Sequence, residues 1–118
     1  MEKNRGFTRV YKASVYSFMG LLAAFRYEAA FRQELVLACL IIPLAFFLPV
    51  ENLERVVMVS AVVLVLVVEL LNSAIEAVVD RVGLEQNELA GRAKDMGSAA
   101  VFVSILLCVF VWGAILLL

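Results

Sequence analysis

The 118-residue chain contains no histidine, only two cysteines and two prolines, and its formal net charge at pH 7 is −1. Without imidazole groups, any metal ion must be held by carboxylate and amide oxygens, which suit hard ions such as Mg²⁺. A net charge near zero gives no electrostatic case for binding nucleic acid. Cys39 and Cys108 both lie inside apolar runs, so we expect free packing residues rather than a disulfide.

Several sequence signatures are missing as well. The chain has no Walker A run, no GxGxxG and no kinase catalytic-loop motif, so motifs alone do not indicate ATP use. The first ~30 residues carry charges throughout, and no small-residue cleavage site follows a short apolar core, so no secretory signal is expected.

Long apolar runs dominate what is present. The chain is 64% hydrophobic with a mean hydropathy of +1.00, whereas soluble domains are about 45–50% apolar. We therefore predict an all-α integral membrane protein with a single domain over residues 1–118. Its predicted elements are an N-terminal amphipathic surface helix at 6–28 and three transmembrane helices at 29–48, 56–80 and 94–118.

The distribution of basic residues predicts the orientation of these helices. Six lysines and arginines precede the strongly apolar run that begins at Leu35, one lies in the 49–55 turn, and three lie in the second connection. Because cytoplasmic loops carry an excess of lysine and arginine, we expect the N-terminus and the 81–95 loop to be cytoplasmic.

A polar stripe interrupts the second predicted span. Glu69, Asn72, Ser73, Glu76 and Asp80 recur at helical spacing and fall on one face. A carboxylate at membrane depth costs at least about 2.5 kcal/mol. The stripe is therefore expected to face inward, toward a partner helix, a metal ion or a substrate, with Glu69 roughly two turns deeper than Glu76.

Carboxylates near a membrane face with cations beside them suit a metal–phosphate site. Glu28 and Glu76 could supply ligands to Mg²⁺, and Lys94, Arg9 or Arg92 could reach phosphate oxygens. The competing interpretation is structural: such charges also neutralise surfaces, cap helices and pack subunits, and Asp95 beside Lys94 suits a helix start.

Three segments resemble a known family: EAAFRQE (Glu28–Glu34), VELLNSAIEAVVDR (Val68–Arg81) and ELAGRAKDMGSAAV (Glu88–Val101). They resemble the hallmark segments of the prokaryotic diacylglycerol kinases, and the resemblance extends from about Gly6 to Trp112. The family includes undecaprenol kinases, which share the E-x-x-N-x-x-x-E core. The FRQE and GRAKDMGSAA segments resemble the diacylglycerol branch more closely.

The resemblance implies a small homotrimeric kinase of the bacterial inner membrane. Each subunit would contribute a surface helix and three transmembrane helices to a helical bundle, with active sites shared between neighbouring subunits. The implied reaction is the phosphorylation of diacylglycerol to phosphatidic acid, with ATP as donor and Mg²⁺ as cofactor.

The resemblance also implies roles for individual residues. Glu69 matches the catalytic base that accepts the proton of the lipid hydroxyl, Glu28 and Glu76 match the metal-binding positions, and Asn72 and Asp80 match supporting polar positions. The implied nucleotide-binding residues are Arg9, Tyr16, Glu28, Glu76, Glu85, Gln86, Asn87, Lys94 and Asp95. The implied lipid-substrate residues are Arg9, Ser14, Ser17, Phe31, Glu34, Glu69, Ser98 and Trp112. The 84–87 segment offers no aromatic side chain near the adenine position, so loose base selectivity is expected.

Three alternatives stay open from the sequence. The first is an undecaprenol kinase, which uses the same chemistry on a different lipid. The second is a small proton-coupled transporter, since such proteins also place a carboxylate within a short helical bundle. The position of the acids near one membrane face, with cations beside them, argues against a transporter. The third is a non-catalytic membrane assembly protein.

Overall fold

The computed structural model describes residues 6–83 and 87–118, and within these ranges all regular structure is helical. The helices are α1 (Gly6–Tyr27), α2 (Ala29–Phe47), α3 (Asn52–Val82) and α4 (Glu88–Leu117). The last three are long and apolar enough to cross a membrane. The all-α prediction, with three spans and an N-terminal helix, is confirmed. Glu85 and Gln86, two predicted nucleotide contacts, lie outside the described residues.

A corner at Glu28 separates α1 from α2. The backbone of Glu28 is extended, with φ −114° and ψ 105°. The Arg32 guanidinium donates from Nη1 to the carbonyl oxygens of Phe25 (2.8 Å) and Arg26 (3.0 Å). These carbonyls belong to the last turn of α1, which has no intrahelical donors left for them. Arg32 therefore stabilises the corner at which the N-terminal helix turns into the first span.

The second and third spans begin earlier than the sequence predicted, because polar caps precede their apolar residues. α3 begins at Asn52, where Glu51 and Glu54 form a reciprocal capping box. α4 begins at Glu88, where the Asn87 side chain accepts a hydrogen bond from a backbone N–H of the first turn. Hydropathy marks only the apolar part of each helix, so it placed both starts too late.

α3 is the central helix, because it packs against both α2 and α4, while α1 packs on α2. The molecule measures 53 × 43 × 21 Å, and its smallest dimension is about two helix diameters. The single chain therefore buries little apolar surface, and most of its large apolar side chains are exposed, as expected for contact with lipid or with other subunits. The buried apolar residues are Ala24, Phe31, Ala38, Ala45, Met58, Ala61 and Val62.

One arginine holds together the turn between α2 and α3. Arg55 donates from Nε to the carbonyl of Ala45 (2.9 Å), and from Nη2 to the carbonyls of Leu48 (3.0 Å) and Val50 (3.1 Å). Its Nη1 donates to Oδ1 of Asn52 (2.8 Å). The guanidinium thus satisfies carbonyl groups at the end of α2, which cannot continue its own hydrogen-bond ladder there. These hydrogen bonds explain why Arg55 lies at the end of the molecule opposite to the connection between α3 and α4.

Replacing Arg55 with alanine should therefore lower the free energy of unfolding by about 2–3 kcal/mol, because part-buried carbonyls lose a charged donor. Lysine should restore little of this, since an ammonium cannot reproduce the planar fork of donors. Denaturation with SDS in mixed micelles measures the change. Arg92→Ala, at an exposed arginine of α4, is the matched control, and equal losses in both variants would refute the assignment.

Candidate active site

Four carboxylates on and beside α2 and α3 form two tiers. In the deep tier, the side chains of Glu34 on α2 and Glu69 on α3 lie close enough to interact electrostatically. α2 and α3 run antiparallel, so Glu28 lies ~9 Å back along α2 and Glu76 lies ~10 Å forward along α3. Glu28 and Glu76 therefore occupy similar heights and form an outer tier, nearer the polar end of the helices.

The deep tier is shielded from water. Glu69 is only 5% exposed, and Oε1 of Glu34 is buried with no hydrogen-bond partner among the described residues. Burying a carboxyl oxygen without a donor is costly, and native proteins rarely leave one so. The pair thus offers acceptors for a hydrogen-bond donor from outside the chain, such as a hydroxyl group.

Two more unpaired acceptors lie between the tiers on α3. Asn72 and Ser73 are each 8% exposed. Within the described part of the chain, neither Oδ1 of Asn72 nor Oγ of Ser73 has a hydrogen-bond partner. Ser73 was not among the predicted site residues, although its place in the polar stripe, one helical turn from Glu69, was a usable signal. The side-chain oxygens of Asn72 and Ser73 therefore provide unpaired hydrogen-bond acceptors between the deep tier and the outer tier.

An open cleft of about 750 Å³ lies between α1 and α3. Two predicted site residues, Ser17 and Glu28, line it from the N-terminal side, and Ser73 and Ala77 line it from α3. The small side chains along this part of α3 leave room for a ligand next to Glu28. The cleft thus connects the outer tier with the surface of the molecule.

The acids do not enclose a metal ion by themselves. Within residues 6–83 and 87–118, no three acidic or cysteine side chains are grouped closely enough to do so. Mg²⁺ usually takes only one or two carboxylates and completes its octahedron with phosphate oxygens and water. Glu28 and Glu76, both partly buried at the outer tier, fit such a half-built site, which requires a phosphate ligand.

A cation lies at the polar end of α3 and α4. Nζ of Lys94 donates to Oδ1 of Asp80 at 3.0 Å, and the two side chains are 38% and 50% exposed. An ion pair this exposed contributes at most about 1 kcal/mol. The Lys94 ammonium and the Asp80 carboxylate thus lie together one helical turn beyond Glu76, at the polar end of α3. Asp95, the next residue of α4, is exposed.

An apolar cavity of about 230 Å³ leads away from the deep tier toward the middle of the spans. Glu34 lines it at the polar end, and the rest of its wall is apolar, with Ala38 from α2, Val62 from α3, and Ile105 and Cys108 from α4. The cavity runs beside the carboxyl pair, so a molecule bound there would carry a polar end at Glu34 and a hydrocarbon end in the membrane.

Some predicted lipid-substrate residues lie away from the tiers. Nε1 of Trp112 donates to the backbone carbonyl of Met58 at 3.0 Å, which places the indole about 16 Å from Glu69 along the α3 axis. That bond joins the end of α4 to the start of α3. Phe31 is buried in the core, and Ser98 is exposed on α4.

The predicted contacts on α1 lie on its exposed surface. Arg9 and Tyr16 are exposed, and the Ser14 hydroxyl donates to the carbonyl of Val10 at 2.9 Å within the helix. Asn87, predicted to contact the nucleotide, uses its side-chain oxygen to cap α4. One chain does not gather these residues around Glu69, so their roles in binding stay predictions.

The comparison with known proteins decides the family. The family model described as prokaryotic diacylglycerol kinase matches residues 15–116. The chain belongs to the prokaryotic diacylglycerol kinase family. It is 52% identical to a diacylglycerol kinase of Haemophilus influenzae over 116 residues, which cover 98% of each chain. It is 56% identical to one of Escherichia coli over 111 residues, covering 94% of this chain and 91% of that protein.

A third diacylglycerol kinase, from Pseudomonas aeruginosa, is 54% identical over 112 residues, which cover 95% of this chain and 91% of the relative. The family membership predicted from the three segments is therefore confirmed. Because the matches span nearly the full length of each relative, they concern a whole kinase rather than a shared part. None of these three relatives is named as an undecaprenol kinase or a transporter, so the alternatives gain no support.

Proposed function

We propose that this protein transfers the γ-phosphoryl group of ATP to the primary hydroxyl of diacylglycerol, producing phosphatidic acid and ADP. The observation that carries the proposal is the pair of carboxyl groups from buried Glu69 and half-buried Glu34, set about 10 Å below the outer tier of Glu28 and Glu76. A lipid reaches the deep tier from the membrane, whereas a nucleotide reaches the outer tier from water. Family membership supports the same reaction.

In the proposed mechanism, Glu69 is the general base. The lipid hydroxyl donates a hydrogen bond to the Glu69 carboxylate, its oxygen attacks the γ-phosphorus in line, and the bond from that phosphorus to the ADP oxygen breaks. The hydroxyl proton ends on Glu69. Proton transfer to a positioned base contributes about 10²–10⁴-fold to the rate of such reactions. Burial of Glu69 also keeps water, the competing nucleophile, away from the phosphoryl group.

The outer tier binds the phosphates in this proposal. Glu28 and Glu76 would hold Mg²⁺, which would neutralise negative charge on the phosphates of ATP. Lys94, oriented by Asp80, supplies a further cation. Asn72 and Ser73 lie between the tiers with unpaired oxygens, where they line the path between the nucleotide and the lipid hydroxyl.

The cavity below Glu34 suits one acyl chain of the substrate. It is apolar apart from Glu34 and runs toward the middle of the spans, as a hydrocarbon tail does when its glycerol group stays at the interface. An acyl chain can pass from the bilayer into this apolar cavity without exposing hydrocarbon to water, and a soluble alcohol has no group that would fill it.

We further propose a homotrimer in the bacterial inner membrane, with the N-terminus and the 81–95 connection in the cytoplasm. The single chain is about two helices thick and leaves most large apolar side chains exposed. The cleft between α1 and α3 is open on one side. A neighbouring subunit would close it, which is consistent with active sites shared between subunits.

The proposal is tested by competition between two lipid acceptors. Purified protein in mixed micelles with MgATP receives equal amounts of diacylglycerol and undecaprenol, and both phosphorylated products are quantified. We expect phosphatidic acid to dominate. If undecaprenyl phosphate predominates, the phosphoryl-transfer mechanism stands but the substrate is undecaprenol. If neither lipid is phosphorylated, the proposal is rejected.

A separate prediction concerns the cation at the outer tier. Lys94→Gln should raise KM for ATP about 10–100-fold, the loss expected for a charge-assisted hydrogen bond to phosphate, and change stability by less than about 1 kcal/mol. Asp80→Asn is the matched control, because it breaks the same ion pair but keeps the ammonium. It should alter stability equally and raise KM by a smaller factor, because the ammonium is kept although the carboxylate no longer holds it. Equal KM values for the two variants would contradict a direct contact between Lys94 and ATP.

A further inference from the structure

One glycine of α4 lies against the polar stripe of α3. Gly97 is buried, and a Cβ atom added there would collide with Oδ1 of Asn72. That atom would also lie 3.3 Å from Cγ of Asn72 and 3.8 Å from Cδ1 of Ile75. Any other residue at position 97 would therefore force the Asn72 carboxamide, or the whole of α4, to move.

The other glycines show that this contact is specific. An added Cβ would meet no atom within 4 Å at the five remaining positions, which are Gly6, Gly20, Gly83, Gly91 and Gly113. A glycine inside a helix costs about 1 kcal/mol relative to alanine, so one in an apolar helix usually has a packing reason. Sequence reasoning missed Gly97, and its position within the GSAA run of an otherwise apolar helix was the available signal.

The neighbour of Gly97 is one of the two residues of the stripe, Asn72 and Ser73, that lie between the deep tier and the outer tier. Asn72 follows Glu69 by three residues and precedes Glu76 by four, so its side chain lies beside both carboxylates on the helix face. Its Oδ1 has no hydrogen-bond partner among the described residues. The position of this end of the carboxamide is therefore limited by the surface of α4, since no hydrogen bond holds it.

The contact also directs the donor end of the carboxamide. Oδ1 and Cγ of Asn72 are the two atoms nearest to the added Cβ, so the Oδ1 end rests on α4 and the amide nitrogen points away from it. The terminal torsion of an asparagine side chain has a broad energy profile. A steric contact on one side of the carboxamide therefore favours one orientation of the group. The amide nitrogen is thereby left on the side of the carboxamide that faces away from α4.

We propose that Gly97 is a positioning residue for phosphoryl transfer: by leaving room for Oδ1 of Asn72, it fixes the Asn72 carboxamide between Glu69 and Glu76. This inference rests on the proposed function, because it takes the two carboxylates as the base and a metal ligand. Gly97 touches neither substrate nor metal ion, and it acts only through Asn72.

The test compares alanine substitutions at two glycines of the same helix. In full-length protein in mixed micelles, Gly97→Ala should lower kcat by about 10–100-fold and leave KM for diacylglycerol within about threefold, since only transition-state positioning is lost. Gly113→Ala, where the added methyl meets open space, should keep kcat within about twofold. Wild-type kcat in Gly97→Ala would overturn the proposal.

A double-mutant cycle separates positioning from simple helix packing. Asn72→Ala removes the side chain that the new methyl would hit. If Gly97 acts through Asn72, the Asn72→Ala/Gly97→Ala protein should have the same kcat as Asn72→Ala alone, and the coupling should approach the full effect of Gly97→Ala. A further loss in the double variant would show an independent role and overturn the proposal. The comparison of the double variant with Asn72→Ala does not require the Gly97→Ala protein, so it remains decisive even if Gly97→Ala alone does not fold.

A spectroscopic measurement tests the positioning of Asn72 independently of the proposed reaction. The side-chain amide resonances of Asn72, identified by their absence in Asn72→Ala, should shift in Gly97→Ala and stay unchanged in Gly113→Ala. Unchanged resonances in both variants would overturn the positioning role. If the resonances shift but wild-type protein phosphorylates no diacylglycerol, the contact stands and the proposed function fails.

Discussion

Glu69→Gln is expected to lower kcat for diacylglycerol phosphorylation by about 10²–10⁴-fold, the usual contribution of a positioned general base. Glutamine has nearly the same shape and still offers a carbonyl oxygen to the lipid hydroxyl, so KM for diacylglycerol should change little. What disappears is the capacity to take the proton as the oxygen attacks phosphorus. The measurement is steady-state phosphorylation in mixed micelles at saturating MgATP.

The matched control for this loss is Glu54→Gln, on the same helix. Glu54 belongs to the capping box at the start of α3, and glutamine serves at that position of a capping box as well. The control should keep both the fold and kcat. A folded Glu69→Gln protein with near wild-type kcat would contradict the role of Glu69 and revive a non-catalytic role for the stripe.

Glu28→Gln and Glu76→Gln should each lower activity at least ~100-fold at ordinary Mg²⁺ and raise the Mg²⁺ concentration needed for half-maximal rate. Replacing even an outer-shell partner of a metal site usually costs 10–100-fold, and each of these changes removes a proposed ligand. Neither variant should alter the fold, since both carboxylates are only partly buried and no ion pair of theirs is present in the described residues.

Titration of the rate with MgCl₂ at fixed ATP measures this effect. Glu88→Gln, at an exposed acid in the first turn of α4, is the control and should titrate like the wild type. If Glu28→Gln and Glu76→Gln also lose activity but keep the wild-type Mg²⁺ dependence, the two carboxylates have another role and the metal site lies elsewhere.

The position of Glu69 follows from helix length and hydropathy together. α3 has 31 residues and is therefore ~46 Å long, which exceeds the ~30 Å hydrocarbon layer. Its apolar part occupies the first half, and the stripe occupies the second, so the acids descend from the interface into the membrane. In the proposed function, a lipid with its polar group at the interface would reach this gradient at Glu69, and a phosphate donor in water would reach it at Glu76.

Periodicity was sufficient to predict the stripe and the helical class, because both depend on residues within one helix. Glu69, Asn72 and Glu76 share a face in any α-helix that contains them. The pairing of Glu34 with Glu69 could not be predicted in this way, since it depends on how far α2 is shifted along α3. That register is fixed at the turn, where Arg55 binds the carbonyls at the end of α2.

Contacts between α3 and α4 could not be predicted from the sequence either, because they depend on how the two helices pack together. Nothing in the stripe indicates that Gly97 lies against Asn72 or that Trp112 donates to the carbonyl of Met58. The Trp112 bond shows that an aromatic residue near a helix end can serve packing between helices. The roles of Arg9, Tyr16 and Ser98 depend on bound ligands or neighbouring subunits, and they stay predictions.

The most direct test of the central claim follows the γ-phosphoryl group itself. Purified protein in mixed micelles is given diacylglycerol, Mg²⁺ and ATP labelled at the γ-phosphate, and the labelled products are separated. Label in phosphatidic acid, formed in a one-to-one ratio with ADP, is the predicted result. Label found only in inorganic phosphate, or remaining in ATP although the protein is folded, would contradict a lipid kinase.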